Sequence, residues 1–289
     1  MITRRKKVTR FRPRIRSRHP SHKILRSRFK NLPLLPFRSV IRLGSTTSTP
    51  EGIKVELNTV EAVRNSSSKL LMKQCFTENN VQTAKWWLHT AGAFTDQSTR
   101  ELIQSVDLPF PIVAKSFYGS RNRGNTKINN VEELNSWMEG KNLSNYLFEV
   151  FHNYAREYRL HVSKNGCFYA CRKVLKRDTP DDHKWYRNDD HCNWIREDSD
   201  NQELFDKPVN WDNIIDECVK AVKAVGLDFG AVDLRIQSST DSDGNERSNP
   251  HFIIVEINSA PSFGQITSEK YINEIPKLLK QKYEQTISV

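Results

Sequence analysis

The stretch Phe252-Ile253-Ile254-Val255-Glu256-Ile257-Asn258-Ser259 decides the reading of this chain. Its β-branched residues predict a strand, and residues i and i+2 of a strand share a face. Glu256 and Asn258 therefore point one way, while Val255 and Ile257 point into the core. Upstream, Phe229–Ile236 predicts a second long strand that carries Ala231-Val232-Asp233-Leu234-Arg235. Side by side, the two strands gather Asp233, Glu256 and Asn258 on one surface. Two carboxylates and an amide oxygen form an all-oxygen set, which suits Mg²⁺, or Mn²⁺ in its place, rather than zinc or copper. The plainer alternative is the solvated polar face of an antiparallel pair. Arg235, two residues beyond Asp233, shares its face.

A second constellation lies earlier. Pro111-Ile112-Val113-Ala114-Lys115 predicts a short strand delivering a lysine to the loop Gly119-Ser120-Arg121-Asn122-Arg123-Gly124. Glycine lets backbone N–H groups approach phosphate oxygens closely. The spacing is neither that of a P-loop nor that of a dinucleotide fingerprint, and an ordinary hairpin turn is the alternative.

Around these motifs strands and helices alternate. Strands are expected at Ser39–Leu43, Ala84–His89, Tyr146–Phe151, Tyr158–Val162 and Cys167–Leu175, the last two joined across an Asn165-Gly166 turn. Helices are expected near Val60–Arg64, Ser67–Glu78, Gln97–Val106, Val131–Met138, Trp211–Val225 and Ser268–Tyr283. Residues 177–208, with ten acidic residues, read as a long loop or partly ordered lid. The fold class is α+β, with mostly antiparallel strands in the second half. The five cysteines, an odd number, argue against a disulfide framework. Cys167 and Cys171 sit in a strand rather than a zinc knuckle, so buried free thiols are the preferred reading over structural zinc. His152, His161 and His251 carry no motif and read as structural.

Together the two constellations resemble the ATP-grasp superfamily, in that family's own order. Lys69, opening the helix Lys69-Leu70-Leu71-Met72-Lys73, resembles its first ATP lysine, and Lys115 its second. Gly119, Ser120 and Gly124 match the loop over the phosphates, and Phe148-Glu149-Val150-Phe151 the hinge strand that meets adenine. Glu157-Tyr158-Arg159 is similar to the Asp-hydrophobic-Arg element after the hinge, with Glu in place of Asp. Arg187 and Asn188 match the Arg-Ser-Asn element only loosely. Asp233, Glu256 and Asn258 match the Mg²⁺ ligands, and Ser259-Ala260-Pro261 the closing turn. The match runs from about Val40 to the C-terminus and is nearest to the glutamate ligases of ribosomal proteins and similar tailed-phage proteins.

The resemblance implies two α+β lobes gripping ATP, lobe one at about 67–148 and lobe two at about 149–289. The preceding domain is reduced to residues 33–66. It implies a carboxylate–amine, or carboxylate–thiol, ligase that works through an acyl phosphate. Small-molecule, peptide or protein carboxylates and amines would be the substrates, and Arg159 and Arg235 would stabilise negative charge. The alternatives are a nucleic-acid-associated or virion protein that retains the fold and, less favoured, a phosphotransferase.

Charge divides the chain. Residues 1–50 hold 15 Lys or Arg and no acid, within a chain of net charge +11. Residues 1–32 are therefore expected to be a disordered basic arm, separable from the body. Such an arm is read foremost as a nonspecific nucleic-acid contact through phosphates. An organellar transit peptide and a solvated tail remain alternatives. No stretch approaches the ~20 apolar residues of a membrane helix, and a cytoplasmic protein of a bacterial host or virus is expected.

Overall fold

The computed structural model describes residues 9–17, 19, 21–88, 109–118, 124–187, 189–262 and 264–288. The helix expected at Gln97–Val106 and the site residues Gly119, Ser120 and Asn188 lie outside the described residues.

Three sheets carry the architecture. The largest has five strands in the order β10-β9-β8-β11-β12, all antiparallel. These are β8 (Arg156–Ser163), β9 (Gly166–Leu175), β10 (Cys192–Arg196), β11 (Phe229–Ile236) and β12 (Phe252–Asn258). One face is apolar: Tyr158, Leu160, Val162, Val232, Leu234, Ile254 and Ile257 pack against Ile214, Cys218 and Val222 of helix α7 (Trp211–Ala224). The opposite face carries the charged residues. A four-stranded sheet, order β4-β7-β5-β6, joins β4 (Trp86–Leu88), β5 (Ile112–Ser116), β6 (Asn125–Ile128) and β7 (Tyr146–Val150). Helix α4 (Val131–Met138) seals it with Leu134 and Met138 against Ile112, Ala114 and Phe148. Asn130 caps this helix by accepting the Glu133 N–H at 2.8 Å, and the Glu133 carboxylate accepts the Asn129 N–H at 2.9 Å.

The bulge in β12 decides which side chains reach the charged face. Asp233 is opposite Glu256, but Leu234 is opposite Ile254, so Val255 is the extra residue. Ile257 is buried as expected. Val255 is only half-buried, and Ile254 takes the core position expected of it.

Two expectations are corrected. Residues 177–208 do not form a loop throughout, because β10 adds an edge strand to the large sheet, flanked by α5 (Asp181–Lys184) and α6 (Gln202–Phe205). The basic arm is not disordered throughout, nor is it separate from the body. Strand β1 (Arg14–Ser17) pairs in parallel with β2 (Ser39–Leu43), which pairs with β3 (Val55–Leu57) in a third sheet. Helix α1 (His22–Phe29) buries Leu25 and Phe29 completely or nearly so against Tyr271, Ile275 and Leu279 of helix α8 (Gln265–Ile287). Burying two such side chains contributes roughly 1.5–3 kcal/mol each. The reduced preceding unit therefore draws its first strand and helix from within residues 1–32, not from 33 onward.

That unit is locked to the large sheet by Asn58, whose backbone is left-handed at φ 58°. Its amide donates to the carbonyls of Arg42 and Phe229, and its oxygen accepts from the N–H of Asp228. Helix α2 (Val60–Ser67), capped by Thr59, then leads directly into α3 (Lys69–Glu78), capped by Ser68.

Candidate active site

Helix α3 and strands β5 and β7 build one wall of the site. Glu149 on β7 lies opposite Val113 on β5, and it accepts two lysines. Lys115 contacts its Oε1, and Lys73 Nζ lies 3.0 Å from its Oε2. All three side chains are at least nine-tenths buried. Lys69 Nζ donates to the carbonyl of Ser116 at 3.1 Å, and the Lys69 N–H donates to Phe117, which anchors the start of α3 at the end of β5. Burial lowers the Lys69 ammonium below its ordinary value, against the pull of Glu256 from the other lobe. Burial raises the Glu149 carboxyl, but Lys115 and Lys73 outweigh it and bring it down to about 2. Lys73 is lowered by burial despite Glu149.

The charged face of the large sheet is the second wall. Asp233 and Glu256 are register partners, and Asn258 Nδ2 lies 3.2 Å from both Asp233 Oδ2 and Glu256 Oε1. All three residues read as ligands from the sequence are therefore gathered at one place, with Asn258 bridging the other two. Arg159, opposite Asp233 on β8, holds it through two bonds of 2.6 and 2.8 Å. Burial opposes ionisation of Asp233, yet that guanidinium keeps its carboxyl below the ordinary value. Beyond it, Glu157 collects Arg235 at 3.0 Å, Lys173 at 3.4 Å and Arg187 at 3.9 Å. Arg187 also donates to the carbonyls of Tyr154 and Ala155, which places it at the turn before β8. The amides of Val150 and Phe151 donate to Lys85 and Pro111, so the hinge has already committed these two donors.

Sequence reading missed Lys73, Lys173 and Trp194. Lys73 follows Lys69 by one helical turn, so the two share a face, and that spacing was the available signal. Trp194 lies under Arg159 and Lys173, with its ring centroid 4.9 and 5.0 Å from their charged atoms. It belongs to the segment that read as a loop.

The donor set fits a divalent cation. Two carboxylates sit side by side, bridged by the partly positive N–H₂ of Asn258, and turning that amide would present its oxygen instead. Among the described residues no third His, Cys, Asp or Glu joins them, so the set remains two carboxylates and one amide.

Buried lysines on one wall and clustered carboxylates on the other thus lie within a two-lobed α+β architecture. Solved structures give that class a name. The chain superposes on D-alanine–D-alanine ligase from Bacillus anthracis complexed with ATP with a TM-score of 0.58, at 12% identity, over 96% of this chain and 99% of that one. The likeness to the ATP-grasp ligase PsnB complexed with minimal precursor has a TM-score of 0.55, at 12% identity, over 94% and 99%. For D-alanyl-alanine synthetase A from Vibrio cholerae the values are 0.56, 14%, 89% and 79%. No protein-family model and no curated protein sequence matches the chain. The protein has the ATP-grasp fold. Among the described residues, no helix is long and apolar enough to cross a membrane.

Proposed function

We propose that the protein is an ATP- and Mg²⁺-dependent ligase joining a carboxylate to an amine or thiol through an acyl phosphate. One observation carries the reading. Asn258 bridges Asp233 and Glu256 on one wall, and Lys69 and Lys115 stand on the other.

The chemistry asks for neutralised charge more than for a covalent partner, because a transferring phosphoryl group spreads negative charge over its oxygens. When bound at Asp233, Glu256 and Asn258, Mg²⁺ would supply Lewis-acid neutralisation of phosphate oxygens. Lys115 and Lys69 would bind the phosphates from the opposite wall. Glu149 holds Lys115 in place through a buried ion pair. Arg159 and Arg235 are positioned on carboxylates in the present arrangement. Exchanging part of those bonds for an incoming anion would let them stabilise the acyl phosphate and the tetrahedral intermediate.

The test is ADP release measured across a panel of carboxylates paired with amines or thiols. ADP formed only when both partners are present supports ligation. ADP formed with a carboxylate or hydroxyl compound alone, with stable phosphorylated product, would point to a phosphotransferase instead.

A further inference from the structure

The N-terminal segment builds a second concentration of cations, none of them part of the site described above. A pocket of about 270 Å³ is lined by Arg10, Arg12, Arg14, Arg38 and Ser39, with Phe11 and Ile53 as apolar walls. Backbone pairing sets its shape. Phe11 and Leu35 exchange N–H···O bonds of 2.7 and 2.8 Å, and Arg14 is in register with Val40 at the start of the β1–β2 pair. The Arg38 carbonyl accepts the N–H of Lys54 at 2.9 Å. The Arg38 guanidinium lies 5.1 Å from the centre of the Phe11 ring, which restricts where its fork can point.

Two observations say what this pocket takes. None of its four arginines forms an ion pair with a carboxylate among the described residues, although cations elsewhere on the fold are paired with acids. Ser39, only 1% exposed, has a hydroxyl with no hydrogen-bond partner. A buried hydroxyl left unpaired is costly, and a ligand oxygen would satisfy it. Forked guanidinium groups around an unsatisfied hydroxyl match a tetrahedral oxyanion rather than a planar aromatic or an apolar group.

We propose that this pocket is a phosphate-binding site, separate from the nucleotide cleft. Its ligand is a phosphate group of a polyphosphate or of a nucleic-acid backbone. The proposal differs from a diffuse basic arm because it assigns the affinity to particular residues held by backbone pairing.

The experiment uses the full chain with two probes, inorganic tripolyphosphate and a labelled single-stranded oligonucleotide, each titrated at two salt concentrations. Arg14→Gln with Arg38→Gln removes two pocket cations. Lys23→Gln with Lys30→Gln removes two cations from exposed positions of the same segment. The pocket pair is expected to lose roughly tenfold or more in affinity and to flatten the salt dependence, and the control pair less than about threefold. Ser39→Ala, which removes no charge and breaks no bond in the structure, should lose roughly threefold with an unchanged melting temperature. Should the double arginine variant fail to fold, Ser39→Ala and Arg38→Lys decide, the latter because it keeps the charge but loses the fork. Binding of tripolyphosphate assigns the site to free polyphosphates, and binding of the oligonucleotide alone assigns it to a nucleic-acid backbone. Equal losses for the pocket and control pairs, an unaffected Ser39→Ala, or no binding of either probe overturns the proposal. ATP affinity, measured alongside, should be the same in every variant.

Discussion

The cleft and the N-terminal pocket both concentrate cations, and they treat them in opposite ways. In the cleft Lys73 and Lys115 share Glu149, Arg159 grips Asp233, and Arg235, Lys173 and Arg187 surround Glu157. Most of these groups are buried, and charge out of water is tolerated only when it is paired. In the pocket four arginine heads remain at the surface with no acid between them. Burial compels pairing, and exposure permits an unbalanced field. The cleft is thus an internally neutralised frame, and the proposed ATP and Mg²⁺ would have to exchange into its ion pairs. The pocket is a standing demand for an anion.

The largest expected effect breaks the cleft at its ligand set. Glu256→Gln keeps size and hydrogen bonding but removes the charge shared with Asp233. If the proposed ligation is the activity, its turnover should fall about 10³–10⁴-fold, with the melting temperature nearly unchanged because Glu256 is only half-buried. Turnover within tenfold of the parent would remove Glu256 from the metal site.

Next comes the frame. Glu149→Gln leaves the buried Lys73 without its counter-charge, which should cost about 3–5 kcal/mol on a denaturant titration. Adding Lys73→Met should recover a good part of that loss, since an apolar side chain needs no partner there. No recovery would mean that Glu149 stabilises the fold through something other than Lys73.

A smaller effect tests the boundary between the two regions. Leu25→Ala should destabilise the whole protein by about 2–3 kcal/mol, because Leu25 is fully buried against the helix that follows the active-site strand. Deleting residues 1–32 should do at least as much. A truncated chain as stable as the parent would restore the picture of a detachable arm.

What could be read from the sequence follows from which signals are local. The i, i+2 spacing of Glu256 and Asn258, and the matching strand around Asp233, specify a shared face without knowledge of anything distant. The bulge at Val255 is not local. It exists only in the register between β11 and β12, so the side-chain alternation was read one residue off at Val255 and Ile254. The strand Cys192–Arg196 escaped because its Trp194 and Ile195 stand within an acidic segment that shows no alternation around them, and the strand is fixed by pairing with β9. The expectation for the arm failed because the 13 Lys and Arg of residues 1–32 dominate its composition. A stripe at His22, Leu25 and Phe29 was nevertheless present at helical spacing, and these are the residues α1 buries.

The smallest expected effect concerns His22, which joins the two regions. It is fully buried, its Nε2 meets the carbonyl of Pro261 at 2.9 Å, and its Nδ1 contacts Ser17. Pro261 closes the turn that begins after Asn258, so the N-terminal unit touches the backbone just beyond the proposed metal site. Burial lowers the imidazole from its ordinary 6.5 to about 4, and the neighbouring His19 and Arg26 side chains add to the effect against the Pro261 bond. With the folded value depressed, both states are neutral above pH 6.5 and the docking free energy is complete there. As pH falls from 6.5 toward 4, the undocked imidazole takes a proton that the docked one refuses, and docking weakens progressively. Glu149, held down by Lys115 and Lys73, stays ionised throughout that window. His152 and His161 are also lowered by burial and lose stability in the same direction, so the parent protein alone cannot isolate His22. The difference from His22→Asn can, since an amide keeps a donor for Pro261 and does not titrate. Proteolytic cleavage within residues 14–32 should accelerate several-fold between pH 6.5 and 4.5 in the parent, and distinctly less in His22→Asn. Identical pH profiles would show that the His22 contact does not hold α1 against the closing turn, leaving Leu25 and Phe29 to do so alone.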